Sequence, residues 1–330
     1  MIITATPNPS IDRTVKLDRP LERGGVHRLS RPVDVAGGKG INVARVLGRA
    51  GIATRVLVPA PEGSDLVRRI EAEGLDLVRT SGPEVRTNLT LVEADGTTTK
   101  LNEPGGELAA EDLQELERAI MNESAATSLA AAEHTWVVLA GSLPQGVAPD
   151  WYLRMTAKLR LRGVRVAVDT SDAPIRAFAE SDVLPNLMKP NGAELATLTG
   201  NATGTGLQLE AAAAAGDFEP VLAAARTLHR RGCEAVLVTL GAAGALLFTE
   251  DTAWVATPPP ITVRSTVGAG DSSLAGYLSG VIADADPARR LELAVASGAA
   301  AASLPGTEVP TSVQLDLEHT HSRALHTRDA

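Results

Sequence analysis

The chain has one cysteine, Cys233, in 330 residues. A single thiol excludes an internal disulfide and a cysteine-based zinc site, and it suits a reducing compartment. Aromatic residues make up only 2% of the sequence, so a core drawn from its 44% apolar residues must be mainly Ala, Val and Leu. No apolar run reaches the roughly 18 residues that a membrane helix needs. The opening MIITATPNPS carries no basic stretch followed by an apolar one, so no secretory signal is expected. These absences lead to an expected cytoplasmic location. Basic residues are outnumbered, 31 against 40 acidic ones, for a net charge of −9. That balance argues against nucleic acid or an anionic membrane as the main partner. Any anionic ligand must then be held by a local cluster of donors.

What is present centres on Val263–Ser273, VRSTVGAGDSS. Gly268, Ala269 and Gly270 stand directly before Asp271, and a long run of small and apolar residues follows. Ile261–Val263 has the β-branched bias of a strand. The stretch therefore reads as strand, tight turn and helix. A helix N-terminus offers unpaired N–H groups and a positive dipole end, which suit a phosphate. An acid placed there repels that anion unless it has a task, and the natural task is to take a proton from an attacking nucleophile. In the bland reading Asp271 only caps the helix.

Ile2–Thr6 reads as the opening strand of the main sheet. Residues 13–35 contain Pro20, Gly24, Gly25 and Pro32 and read as strands of a small excursion. Gly37-Gly38-Lys39-Gly40 then runs into a helix to about Arg49. Alternating strands at Arg86–Glu93 and Thr98–Leu101, joined by Ala94-Asp95-Gly96-Thr97, read as a hairpin and the other half of the small sheet. From about Glu111 helical and strand patterns alternate, with strands expected at Trp136–Ala140, Val164–Val168 and Ala235–Thr239. That order implies parallel strands with helical crossovers and a ligand site at their carboxyl ends. Residues 202–219 read as a surface insertion, partly mobile or a short helix. The polar tail 311–330, with His319, His321 and His326, reads as solvated rather than metal-binding.

Four ordered motifs resemble those of the ribokinase (PfkB) family of carbohydrate kinases, in its phosphosugar branch. They are GGKGINVA at Gly37–Ala44, GSLPQGV at Gly141–Val147, KPNGAEL at Lys189–Leu195 and STVGAGDS at Ser265–Ser272. The resemblance runs from Thr6 to about Thr307. It implies an α/β fold, a ribokinase-like, Rossmann-type, doubly wound and mostly parallel sheet, over about residues 1–310. A small β-sheet lid, about 13–35 and 86–101, and a homodimer through that lid belong to the same expectation.

Residue by residue, Asp271 resembles the family's catalytic base, and the backbone of Gly268, Ala269 and Gly270 its anion hole. Asn191 and Glu194 match an N-x-x-E pattern that positions Mg²⁺ largely through water. Lys189, Thr239, Gly241 and Gly244 are similar to nucleotide-binding positions, which implies ATP. Asp12, Gly37, Gly38 and Asn42 resemble contacts to the sugar. Lys39, Arg86 and Ser142 resemble contacts to a phosphate already on the substrate, and Arg28 resembles a lid residue that reaches the partner subunit's site. The late segment Leu304-Pro305-Gly306 departs from relatives that hold a monovalent cation, so a K⁺ requirement stays open.

The implied reaction is ATP-dependent phosphorylation of a ketohexose phosphate, with fructose 1-phosphate first and tagatose 6-phosphate or fructose 6-phosphate as alternatives. A non-catalytic sugar-phosphate sensor needs no base at Asp271. A ribose or nucleoside kinase leaves Lys39 and Arg86 unpaired. Bland readings stand beside these: Arg86 as a solvated strand residue, Glu194 as a helix-start acid, Ser142 and Asn42 as caps. Lys39 is harder to dismiss, since a lysine between glycines has little to pack against.

Overall fold

A computed structural model describes residues 1–29, 31–125, 135–201, 204–250 and 252–325. Ten strands form the main sheet. Seven of them are parallel, in the spatial order β11 (Ala235–Thr239), β10 (Leu187–Met188), β9 (Arg165–Asp169), β8 (Trp136–Ala140), β1 (Ile2–Ala5), β4 (Thr54–Pro59) and β5 (Asp76–Thr80). Beyond β11 the sheet turns antiparallel through β12 (Ala245–Thr249), β13 (Thr252–Thr257) and β14 (His321–Leu325).

Apolar residues follow one another along the central strands because both faces are covered. Val137 and Leu139 of β8 pack with α3 (Ala110–Ala125) and α4 (Trp151–Arg160). Val138 and Ala140 face the other way, with α1 (Lys39–Arg49), α9 (Ala269–Ile282) and α10 (Pro287–Ala302). Truncating a fully buried residue such as Leu274 or Leu278 costs about 2–5 kcal/mol. Small residues let α9 and α10 approach closely. A Cβ at Gly276 would fall onto the carbonyl oxygen of Leu293. The three tryptophans are Trp136 at the start of β8, Trp151 at the start of α4 and Trp254 in β13.

A second sheet of four strands has the order β3 (Val33–Gly37), β2 (Ser10–Lys16), β6 (Arg86–Val92) and β7 (Thr98–Asn102). Its alternation sorts the side chains. Ile11 joins the core beside α1 and α2 (Asp65–Ala72). Ser10, Asp12, Arg86 and Asn88 turn toward the carboxyl ends of the main sheet. The excursion's first strand begins at Ser10 rather than near Thr14, and the described residues between 17 and 32 form no strand.

Three expectations change. Ile261–Val263 is not a strand but exposed irregular backbone. Three prolines, 258–260, break the chain just before it and cannot themselves join a ladder, and His321–Leu325 pairs with β13 instead. The tail is accordingly part of the sheet up to Leu325, and His321 pairs opposite Thr257 in it. His326 lies outside the described residues. In the expected insertion, Ala202 and Thr203 lie outside them too. The rest takes the short-helix form, α7 (Gly206–Ala214), capped by Thr205 and Gln208; the change is in its burial, since Leu209 and Ala213 lie in the core. The short helices α5 (Asp172–Ala179) and α6 (Gly192–Leu198) and the crossover helix α8 (Glu219–Arg230) complete the framework.

Candidate active site

A cleft of about 590 Å³ opens where the parallel strands end and the small sheet leans over them. Its lining residues sit at or just past strand ends: Asn8 after β1, Ser142 after β8, Lys189 after β10 and Thr239 ending β11, with Asp169, at the end of β9, buried beneath Lys39 and Lys189. A larger hollow of about 820 Å³ lies among Trp136, Arg165, Glu234 and Arg290 at the amino ends. There Arg165 is already paired with Glu234. Ligands of such sheets bind at the carboxyl ends, and the smaller cleft is where Asp12, Asp271, Lys39, Lys189 and Arg86 gather.

Gly268 caps α9 in the left-handed region, with φ 76°, a conformation that costs a side chain about 1–2 kcal/mol. The turn presents the first N–H groups of the helix, which have no intrahelical partner, to the cleft. Asp271, in the first turn, is 7% exposed. Its Oδ2 accepts from Asn42 Nδ2 at 2.8 Å. Burial first, and then the negative charge of Asp169, push its carboxyl up to about 6, while Lys39, Asn42 and Lys189 pull the other way. An acid of that strength is ionised at neutral pH yet still basic enough to take a proton.

Two lysines converge on Asp169. Lys39 Nζ lies 2.7 Å from Oδ1, and Lys189 Nζ lies 3.2 Å from Oδ2. Burial pushes the Asp169 carboxyl up, but the two cations outweigh it and hold it below the usual carboxylate value. Lys39 is in turn raised, because Asp169 and Asp271 outweigh its burial. Lys39 is therefore not the lone cation that its glycine neighbours suggest. Lys189 also reaches the anion turn: a Cβ at Gly270 would stand 3.2 Å from its Nζ.

Arg86 differs from both lysines. It donates to neutral acceptors: Glu103 O at 2.8 Å, Asn8 O at 3.2 Å and Ser142 Oγ at 3.3 Å. Its Nε is buried with no hydrogen-bond partner among the described residues. Among the described residues no carboxylate forms an ion pair with it, and burial lowers its pKa from the ordinary arginine value. Nearby, Asp12 Oδ1 accepts from Ser10 Oγ at 2.7 Å and Asn88 Nδ2 at 3.0 Å. Gly37 leaves room for that carboxylate, since a Cβ there would fall onto it.

Asn191 and Glu194 form a reciprocal cap at the start of α6. Asn191 Oδ1 accepts from Glu194 N, and Glu194 Oε2 accepts from Asn191 N, both at 2.9 Å. The helix-start reading of Glu194 is thus realised, while the same side chain lines the cleft. Burial raises its pKa. Its second oxygen is a hard donor of the kind magnesium takes through water. No cluster of three or more His, Cys, Asp or Glu suited to a metal occurs among the described residues.

Of the remaining expected positions, Gly38 and Thr239 line the cleft. Ala269 is the first residue of α9. Gly241 and Gly244 bound the turn into β12, where a Cβ at Gly244 would fall onto Ala256 O. Arg28 is exposed and does not line the cleft of its own chain. The sequence reading missed Asp169, Asn8, Asn88, Lys100 and Asn102. Asp169 carried one signal, a polar loop after a buried strand. The other four are ordinary strand and turn residues until the sheets meet.

The model of the pfkB family carbohydrate kinases matches residues 5–313. A 1-phosphofructokinase of Haloferax volcanii is 34% identical over 325 residues, 97% of each chain. One of Xanthomonas campestris is 37% identical over 289 residues, 86% of this chain and 85% of that protein. Among solved structures, phosphofructokinase-2 of Escherichia coli in complex with substrates and products superposes with a TM-score of 0.83 at 27% identity, covering 95% and 96% of the two chains.

Proposed function

Because the chain belongs to the pfkB family of carbohydrate kinases, we propose that it phosphorylates fructose 1-phosphate with ATP, giving fructose 1,6-bisphosphate and ADP. One observation carries the choice of a phosphorylated sugar. Arg86 is a half-buried cation in the cleft that no acid among the described residues contacts as an ion pair, Asp12 and Glu103 acting on it only through space, whereas Lys39 and Lys189 share Asp169. A cation there without a contacting acid suits a substrate phosphate, and a bidentate fork suits it best.

Asp271 takes the proton of the C6 hydroxyl as that oxygen attacks the γ-phosphorus. A new P–O bond forms, the bond to the β-phosphate oxygen breaks, and ADP leaves with the electron pair. The turn at Gly268–Gly270 receives the oxygens of the transferred group through backbone N–H groups. Lys189 adds charge beside it. Asp12 and Asn88 orient the sugar hydroxyls. Asn191 and Glu194 are placed to hold magnesium through water, and the ion, when bound, neutralises charge on the phosphates.

The small sheet supports a homodimer. Val26, Leu29, Val33 and Leu101 are exposed there, between 54% and 78%, and the edges of β3 and β7 are open. Arg28 lies on the same excursion and would reach a partner's cleft.

The deciding experiment is ADP release measured over fructose 1-phosphate, tagatose 6-phosphate, fructose 6-phosphate and fructose. Fructose 1-phosphate should give the highest kcat/KM. Equal turnover of unphosphorylated fructose would refute the phosphosugar reading. Binding without ADP release would turn it into a sensor.

A further inference from the structure

Asn42 stands between two groups with opposite demands. Its Nδ2 donates to Asp271 Oδ2 at 2.8 Å, and its Oδ1 accepts from Arg45 Nη1 at 2.8 Å. Arg45 is itself 7% exposed and lies three residues further along α1. Its Nη2 donates to Ala36 O at 2.7 Å and to Glu73 Oε1 at 3.0 Å. A guanidinium has five donors and no acceptor. The amide can therefore meet Arg45 only through its oxygen, and the N–H end is left to face Asp271. Turned over, it would set oxygen against carboxylate and N–H against N–H.

We propose that Arg45 is a positioning residue of the phosphoryl-transfer site: it fixes the amide of Asn42 so that an N–H always faces Asp271. The inference rests on the reading of Asp271 as general base. Arg45 does not line the cleft. It borders a separate hollow of about 330 Å³ beside Arg49, Glu73 and Leu75. Its influence on the reaction thus passes through Asn42.

A hydrogen bond to a carboxylate favours the ionised form. The charged groups facing Asp271 are Asp169 at the end of β9, Lys39 on α1 and Lys189 after β10. On the other flank α10 meets this helix with Gly298, against Ser273 and Ala269. Loss of the Asn42 N–H moves the Asp271 pKa upward.

The test is the pH profile of kcat. Arg45→Met keeps the bulk and removes the donor. Its acid limb should move up by about one pH unit, with activity above that limb recovered to within about three-fold and KM for ATP within about two-fold. Arg45→Lys should restore part of the shift. Asn42→Ala should move the limb by itself, and adding Arg45→Met should move it no further. Glu73→Gln removes the ion pair but leaves the Arg45–Asn42 bond, so it should lower the melting temperature and leave the limb in place. An even loss at every pH in Arg45→Met, or a further shift in the Asn42→Ala background, overturns the proposal. If Arg45→Met does not fold, Arg45→Met/Glu73→Leu leaves neither charge unpaired and is titrated instead. Asp271→Asn separates the two failures. Activity retained in that variant removes the general base. Activity lost there, with an unmoved limb in Arg45→Met, removes only the positioning role.

Discussion

Lys39 Nζ and Asp169 Oδ1 meet at 2.7 Å across two elements 130 residues apart in sequence. The contact ties the glycine turn that opens α1 to the end of β9. Lys189 holds the second oxygen of the same carboxylate. One acid thus pins two cations at the floor of the cleft and prevents them from repelling each other in the absence of an anion. On the proposed function, an arriving phosphate competes with Asp169 for them.

Asp169→Asn should therefore lower the acid limb of the kcat profile. The nearby negative charge raises the Asp271 pKa, so its removal lowers that pKa and weakens the base. The variant also strands two cations, and breaking one side of a buried pair costs about 3–5 kcal/mol. A pH profile together with a thermal melt checks both. A limb that moves upward would contradict the assigned coupling.

Asp271→Asn should lower kcat by about 10²–10⁴-fold, with ATP affinity nearly unchanged. It should also stabilise the fold at neutral pH. The folded carboxyl titrates at about 6 and its ordinary value is 3.8. The native state therefore holds its proton to higher pH, and stability falls as pH rises from about 4 to 6. The amide has no such loss. Melting temperatures of the two proteins should coincide near pH 4 and diverge, with the variant higher, above pH 6.

Arg86→Ala should raise KM for fructose 1-phosphate by about ten- to a hundred-fold, the worth of a charge-assisted contact. KM for ATP should hardly move. The preference over unphosphorylated fructose should largely vanish, and Arg86→Lys should rescue only in part. Equal weakening of both substrates would end the phosphate-clamp role.

Gly37→Ala places a methyl group where the Asp12 carboxyl now lies. Displacing that carboxyl should raise KM for the sugar phosphate several-fold while KM for ATP stays level. Isothermal titration of each ligand distinguishes the two.

The proposed dimer predicts a light-scattering mass twice that of one chain. Val26→Asp with Leu29→Asp puts charge on the exposed excursion and should return it to a monomer. A monomeric parent with full activity would remove the lid interface from the account.

The sequence was most legible where function is local. Gly268–Asp271 and Gly37–Asn42 are each one turn plus the start of one helix, so spacing alone places their groups. The parallel sheet was legible from alternating elements. It was least legible where partners come from distant segments. Nothing next to Asp169 in sequence announces two lysines, and nothing next to Arg45 announces Asn42 as a relay. Asn191 and Glu194 show a different limit. The same spacing suits either a cap or a metal, and the cap is what the hydrogen bonds record. Ile261–Val263 misled because β-branching favours a strand only where a partner edge is free, and β14 occupies that edge.

The tryptophans have a practical consequence. Trp136, Trp151 and Trp254 sit in or beside the main sheet, and none borders the cleft. Their emission follows the integrity of the sheet. Fluorescence therefore tracks denaturation cleanly, with no interference from ligand in the cleft. Titrations of sugar phosphate or nucleotide need heat, radiolabel or an installed fluorophore. Val267, at the cleft rim beside the anion turn, is the position at which an indole would turn occupancy into light.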